Sequence, residues 1–182
     1  MKLFRTYLTL FLIMTLLLGG AYPLVVTLMG KSFFREKAAG SFVEVKGHLV
    51  GSNLIAQGFT TPQYFWPRPS ACGYGMPSGG SNLSPGSKTL QAQVASKNNL
   101  PADLVFASGS GLDPDISPAS ALAQVDRVAE ARHLSVDQKK TLVKLVNSMI
   151  QHRQWRVFGE ERVNILALNK AVDTTLMVQK DI

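Results

Sequence analysis

Thr6-Tyr-Leu-Thr-Leu-Phe-Leu-Ile-Met-Thr-Leu-Leu-Leu-Gly-Gly-Ala-Tyr-Pro-Leu-Val-Val-Thr-Leu-Met-Gly30 runs without a single charged residue. As a helix it covers about 37 Å, more than the ~30 Å hydrocarbon core of a bilayer. Lys2 and Arg5 bound it on one side, and Lys31, Arg35 and Lys37 on the other. The stretch reads as one transmembrane helix, 6–30, after a short tail, 1–5, with everything from 31 to 182 forming a domain held at a membrane surface. A cleavable leader is the rival reading, since Leu18-Gly-Gly-Ala21 offers small residues for cleavage. Leaders have apolar cores of roughly 7–15 residues, and this run continues through Pro23 to Met29. An uncleaved anchor is therefore expected. Gly19 and Gly20 allow close helix approach, and Pro23 frees a backbone carbonyl, so Gly19, Gly20, Tyr22 and Pro23 are candidate subunit-interface residues.

Working outward, the chain has 182 residues and a net charge of +7. Five of its nineteen Lys/Arg and one of its twelve Asp/Glu lie in residues 1–37. Much of the basic excess thus flanks the apolar run, where lipid headgroups favour cations. No basic run interleaved with aromatics is present, so no nucleic-acid partner is expected. Cys72 is the only cysteine, which excludes an intramolecular disulfide; pairing between chains is the alternative to the expected small, partly buried thiol.

The domain reads as α+β. Short strands are expected at Phe42–Val45, His48–Val50, Leu54–Ala56, Leu104–Ala107 and Val163–Leu166, without a regular βαβ alternation. Thr60 to Ser87 reads as a long ordered loop: it holds Pro62, Pro67, Pro69, Pro77 and Pro85, but also Tyr64, Phe65, Trp66 and Tyr74, and disordered segments are poor in aromatics. Helices are expected over Thr89–Asn98, with Leu90 and Val94 inward, and from Ser117-Pro118 to His133, with Leu122, Val125, Val128 and Ala129 on one face. Ser135-Val-Asp-Gln138 is a capping box, and Leu142, Leu145, Val146 and Met149 form the apolar stripe of the helix it opens. Leu168–Leu176 closes the chain as a helix.

Chemistry is sparse. Ser78-Gly-Gly-Ser-Asn82 and Gly86-Ser-Lys-Thr89 miss the spacing of a phosphate loop, because Ser87 separates Gly86 from Lys88. Ser108-Gly109-Ser110-Gly111 lacks a lysine and is the one stretch whose amides suit a small anion. Asp113 and Asp115 flank Pro114, too few carboxylates for a hard cation; Asp115 suits a helix start. His48 stands alone, and His133 and His152 fall on helical faces with charged neighbours. Asn82-Leu-Ser84 matches a glycosylation sequon. No nucleophile–base pair is apparent, so the chain is not expected to be an enzyme, to have catalytic residues or to hold a metal.

Several stretches together resemble the KdpC family, the C subunits of the bacterial Kdp potassium-transporting P-type ATPase. They are Gly19-Gly-Ala-Tyr-Pro-Leu24, Gly51-Ser-Asn-Leu-Ile-Ala-Gln-Gly-Phe59, Tyr64-Phe-Trp-Pro-Arg-Pro-Ser-Ala71 and Ser78-Gly-Gly-Ser-Asn-Leu-Ser-Pro85. They continue with Ala107-Ser-Gly-Ser-Gly-Leu-Asp-Pro-Asp-Ile-Ser-Pro118 and Arg162-Val-Asn-Ile-Leu-Ala-Leu-Asn169. Asp115 departs from the pattern, where His or Asn is expected. The resemblance implies an accessory subunit of the bacterial inner membrane, single-pass, with its N-terminus cytoplasmic and its domain periplasmic. Its partners would be a channel-like potassium-conducting subunit, a P-type ATPase subunit, a small single-helix subunit and the lipid bilayer. ATP and Mg would sit on the ATPase subunit and K⁺ would be the cargo, with this chain a catalytic chaperone raising ATP affinity. Arg68, Ser78, Gly79, Gly80, Ser81 and Asn82 join the interface candidates. A membrane-anchored periplasmic binding module unrelated to transport is the alternative.

Overall fold

The computed structural model describes all residues except Lys46, Asn98 and 179–182, and the side chains of 176–178. The chain divides into two units, residues 1–42 and 43–182.

In the first unit, α1 (Lys2–Leu16), a π-helical turn (Leu17–Ala21) and α2 (Tyr22–Phe33) run on as one helix. Within its 32 residues, Lys2–Phe33, an 18-residue window reaches a mean hydropathy of 2.1 and no residue is buried, so it is long and apolar enough to cross a membrane. It is longer at both ends than the apolar run because helical backbone bonding does not stop at the first charge. The π turn has a cause. Pro23 has no N–H to give to the Gly19 carbonyl and its ring crowds that group. Widening the preceding turn, with the Tyr22 amide donating to the Leu17 carbonyl, absorbs the mismatch. A short helix, α3 (Arg35–Ala38), follows.

The second unit is α+β. β1 (Phe42–Val45) and β2 (His48–Ser52) form a two-stranded sheet. No helix or strand occurs from 53 to 87. Then come α4 (Lys88–Ser96), α5 (Ala102–Val105), β3 (Asp115–Ile116), α6 (Pro118–Ala123), α7 (Val125–Ala131), α8 (Val136–Ser148), β4 (Val163–Asn164) and α9 (Ile165–Val178). β3 and β4 pair antiparallel, Asp115 opposite Asn164 and Ile116 opposite Val163. Helices α6, α7 and α9 all pack on α8. The core between them holds Val125, Val128, Leu142, Val146, Val163, Ile165, Leu168 and Val172, with Phe65 from the long loop fully buried among them.

The Ser135 capping box forms, as do the Ser117 cap and Pro118 at the first helical position. Four expectations are corrected. Leu104–Ala107 is not a strand: Pro101 opens α5, and Lys97 Nζ bonds the Leu104 carbonyl at 3.1 Å, so this backbone needs no ladder. Leu54–Ala56 is a turn, Ala56 donating its amide to the Leu112 carbonyl. The helix expected to reach His133 breaks at Gln124 into α6 and α7, and Leu122 stays exposed. The strand at Val163 lasts two residues, because the Asn164 carboxamide caps the Ala167 amide at 3.1 Å and starts α9 early.

The long loop is ordered by side chains. Asn169 on α9 accepts from the Phe65 amide at 2.8 Å and donates to the Phe65 carbonyl at 3.0 Å. Gln124, at the α6–α7 break, does the same for Trp66, at 2.8 and 3.0 Å. Arg127 donates to the Pro62 and Tyr64 carbonyls, and Arg132 to that of Gln63. Each carboxamide replaces a neighbouring strand. Asn169→Ala is expected to destabilise the full chain by about 2–4 kcal/mol, since it strands two buried backbone groups. Thermal unfolding in detergent, monitored by circular dichroism, checks this; a midpoint within 2 °C of the unaltered chain would contradict it.

Candidate functional site

The Gly-rich stretches that look unrelated in sequence meet in the folded domain. The Gly79 amide donates to the Ser110 carbonyl at 2.8 Å, and the Ser108 amide to the Pro69 carbonyl at 3.2 Å. Gly80 lies so close to Gly109 that a Cβ there would sit 3.3 Å from its carbonyl oxygen. Gly111, at φ +69°, has the Cys72 sulfur and the Gly79 carbonyl where a Cβ would project. Glycine is required at that position by both conformation and space. Ser78, Ser81 and Asn82 remain exposed beside this junction.

The amides of Ser108 and Gly111 are already given to protein carbonyls, and that of Leu112 to the Ser110 hydroxyl. Ser108 itself is buried. The turn at Ser108–Gly111 thus spends these donors on its own closure and, through the Ser108 amide, on the 69–80 loop. Cys72 lies half-buried, 3.3 Å from the Ser70 hydroxyl. Hydrogen bonding from Ser70 lowers its thiol pKa.

Arg68 leaves the same loop and pairs with Asp113 at 3.0 Å; its Nε is buried without a partner among the described residues. Asp115 lies on β3, not within a helix, facing Arg162 at 3.1 Å and the Asn164 carboxamide at 3.0 Å. Burial pushes its carboxyl up, against that hydrogen bond and the Arg162 charge. Asp103 accepts from the Ser117 amide at 2.7 Å and from the Ser120 hydroxyl. Burial opposes its ionisation, but these bonds outweigh burial and its pKa falls. These acidic and basic groups line a cavity of about 510 Å³. A second cavity, of about 430 Å³, lies under Phe59, Trp66, Tyr74, Leu100 and Leu104. Arg127 edges it, its guanidinium stacked 3.8 Å over Trp66.

Two histidines are corrected. His133 lies just past α7 with φ 54°, and His152 sits in a hairpin, 2.7 Å from Glu161. That hairpin is held by the Gln151–Arg162 and Gln154–Phe158 bridges and has no periodic signal in the sequence. Its signal is compositional, Trp155, Val157 and Phe158 set among arginines. Among the described residues no group of three or more His, Cys, Asp or Glu is placed to hold a metal. Cys72 meets the Ser70 hydroxyl, and Ser117 and Ser120 meet each other and Asp103, rather than a histidine.

In the first unit, Gly19 and Gly20 have open space where a Cβ would be, and Tyr22 is exposed. With Pro23 they mark the π turn of the apolar helix.

Residues 4–174 match the KdpC family, described as K+-transporting ATPase, c chain. The chain is 44% identical to the potassium-transporting ATPase KdpC subunit of Polynucleobacter asymbioticus, covering 94% of this chain and 98% of the relative. It is 45% identical to the subunit of the same name from Burkholderia cenocepacia, over 94% and 96% of the two chains. The Geotalea uraniireducens subunit is also 45% identical, over 95% and 98%.

The depressed Asp103 carboxyl gives a pH signature. Its contribution is fully present above the unfolded value, roughly 3.9, and is lost as pH falls through the lower folded value. Asp103→Asn is expected to lower the unfolding midpoint at pH 7, with the gap narrowing below about pH 4. Melts of the full chain at both pH values check it; a gap that widens in acid would contradict it.

Proposed function

The chain belongs to the KdpC family, the c chains of K+-transporting ATPases, and on that premise we propose that it assembles and stabilises an ATP-driven potassium uptake complex without catalysing a reaction itself. It is an accessory subunit of a potassium transport complex. The finer reading is as follows. The Lys2–Phe33 helix spans the bacterial inner membrane with its N-terminus cytoplasmic, and residues 43–182 lie in the periplasm. The partners are a channel-like potassium-conducting subunit, the P-type ATPase subunit that binds ATP and Mg, and a small single-helix subunit. The domain covers the potassium entrance of the channel-like subunit.

The observation that carries this reading is the helix itself. All 32 residues are unburied within the chain, and a helix–helix face with open glycines is useful only against another helix or lipid. The polar loops of the domain support it, being spent on one another rather than on a reaction centre.

The same reading makes this chain a catalytic chaperone that raises the ATP affinity of the ATPase subunit. A periplasmic domain does not meet cytoplasmic ATP, so that effect travels through the membrane-spanning partners. It is then a coupling free energy, typically about 1–3 kcal/mol, exerted between distant sites.

Two tests follow. A chain ending at residue 42, which keeps the helix, is expected to lose at least tenfold in potassium affinity or in recovered complex. Normal assembly and affinity, measured by co-purification and ⁸⁶Rb⁺ uptake, would overturn the assembly role of the domain. Leu at both Gly19 and Gly20 is expected to lower recovered complex severalfold while leaving insertion of the chain unchanged. Undiminished complex would remove those glycines from the interface.

A further inference from the structure

The hairpin from Gln151 to Arg162 ends in an unusual tip. Trp155 and Arg156 both take positive φ, 50° and 64°. Two consecutive left-handed residues are a place for Asn-Gly, and a bulky side chain there is a strained exception. The turn is nonetheless closed by bonds from the Val157 and Phe158 amides to the Gln154 carbonyl, at 3.1 and 2.9 Å. Its reward is not packing within the domain. Trp155 is 87% exposed, Val157 69% and Phe158 60%. Trp155 and Phe158 touch each other edge to face, with centroids 6.0 Å apart. Arg153 and Arg156 flank them, and neither is ion-paired among the described residues.

Strain retained at a tip that buries nothing points to a function outside the chain. Trp and Arg are the residues that dominate protein interfaces when they enter a desolvated pocket. A fixed turn presents them with little ordering cost on binding. A lipid surface also accepts Trp and Arg, but needs no fixed side-chain direction. The returning arm, moreover, carries Glu160 and Glu161, which anionic headgroups repel. Arginines on one arm and carboxylates on the other fit a protein surface of mixed charge.

We propose that the Trp155–Phe158 tip is a docking finger that enters an apolar pocket with a rim of mixed charge on another subunit of the complex, with Trp155 as the anchor and Arg153 and Arg156 pairing with the carboxylates of that rim. It rests on the reading of this chain as an assembly subunit.

The test places the photoreactive residue p-benzoylphenylalanine at Phe158 of the full chain, in the purified complex. Irradiation is expected to join it to a partner subunit, at a segment where Asp or Glu flanks apolar residues. Trp155→Gly suits the left-handed backbone, so the chain itself is expected to melt no lower than before, while adduct and recovered complex fall at least tenfold. Arg153→Glu with Arg156→Glu is expected to do the same. An intact complex with an adduct to lipid, to a second copy or to nothing overturns this inference alone. So does full recovery of complex with Trp155→Gly. If the unaltered chain recovers no partner, the assembly reading fails and the finger with it.

Discussion

The irregular backbone of Phe65 and Trp66 is held against the helices by side-chain carboxamides, and the packing of the core around buried Phe65 depends on that. Phe65 plugs the core between α7, α8 and α9, so its peptide groups leave water. Buried peptide groups cost more unpaired than paired ones return. Asn169 and Gln124 supply a donor and an acceptor each, from positions 104 and 58 residues away in sequence. Arg127 and Arg132 close the carbonyls before them, and Arg132 also pairs with Asp173 at 2.7 Å. Partial burial lowers the Arg127 pKa. Gln124 can reach Trp66 because the helix breaks there, which explains why α6 and α7 are two helices.

From that clamp the loop runs outward in a fixed direction. Trp66 continues to Arg68, whose pair with Asp113 ties it to the strand that leads into α6. The loop then returns through Cys72 and Gly79 to the Ser108–Gly111 turn. Gly111 fits there because no side chain can share the space with the Cys72 sulfur. An assembly role of the kind proposed calls for this much order. Presenting a surface to membrane partners demands a backbone whose polar groups are spoken for, so that association does not have to order it.

The parts of the structure legible in the sequence are those set by local rules. Thr6–Gly30 is readable because an apolar run of that length has few fates. α8 is readable because its capping box and its Leu142–Val146 stripe are both short-range. Leu104–Ala107 misleads because apolar β-branched composition suggests a strand, while Pro101 and the carbonyl bond from Lys97 select a helical turn. The clamp is not legible at all. Asn169 and Gln124 are polar residues on helices, which a sequence reading assigns to solvent, and their function is fixed by partners far along the chain. Asn164 belongs to the same class. Pro69, next to Arg68, and Gly79 both bond the Ser108–Gly111 turn, a junction that the sequence splits between separate stretches. The hairpin tip carries a compositional signal, Trp155, Val157 and Phe158 among arginines, but no periodic one that marks it as structure.

The central claim is that one helix and one rigid domain together join this chain to its complex from the outer side of the membrane. A density map of the assembled complex in lipid nanodiscs tests it most directly. The account predicts the Gly19–Gly20 face of the Lys2–Phe33 helix against a partner helix, and residues 43–182 on the side opposite the ATP site. A domain on the ATP side of the membrane, or a helix surrounded only by lipid, would contradict it.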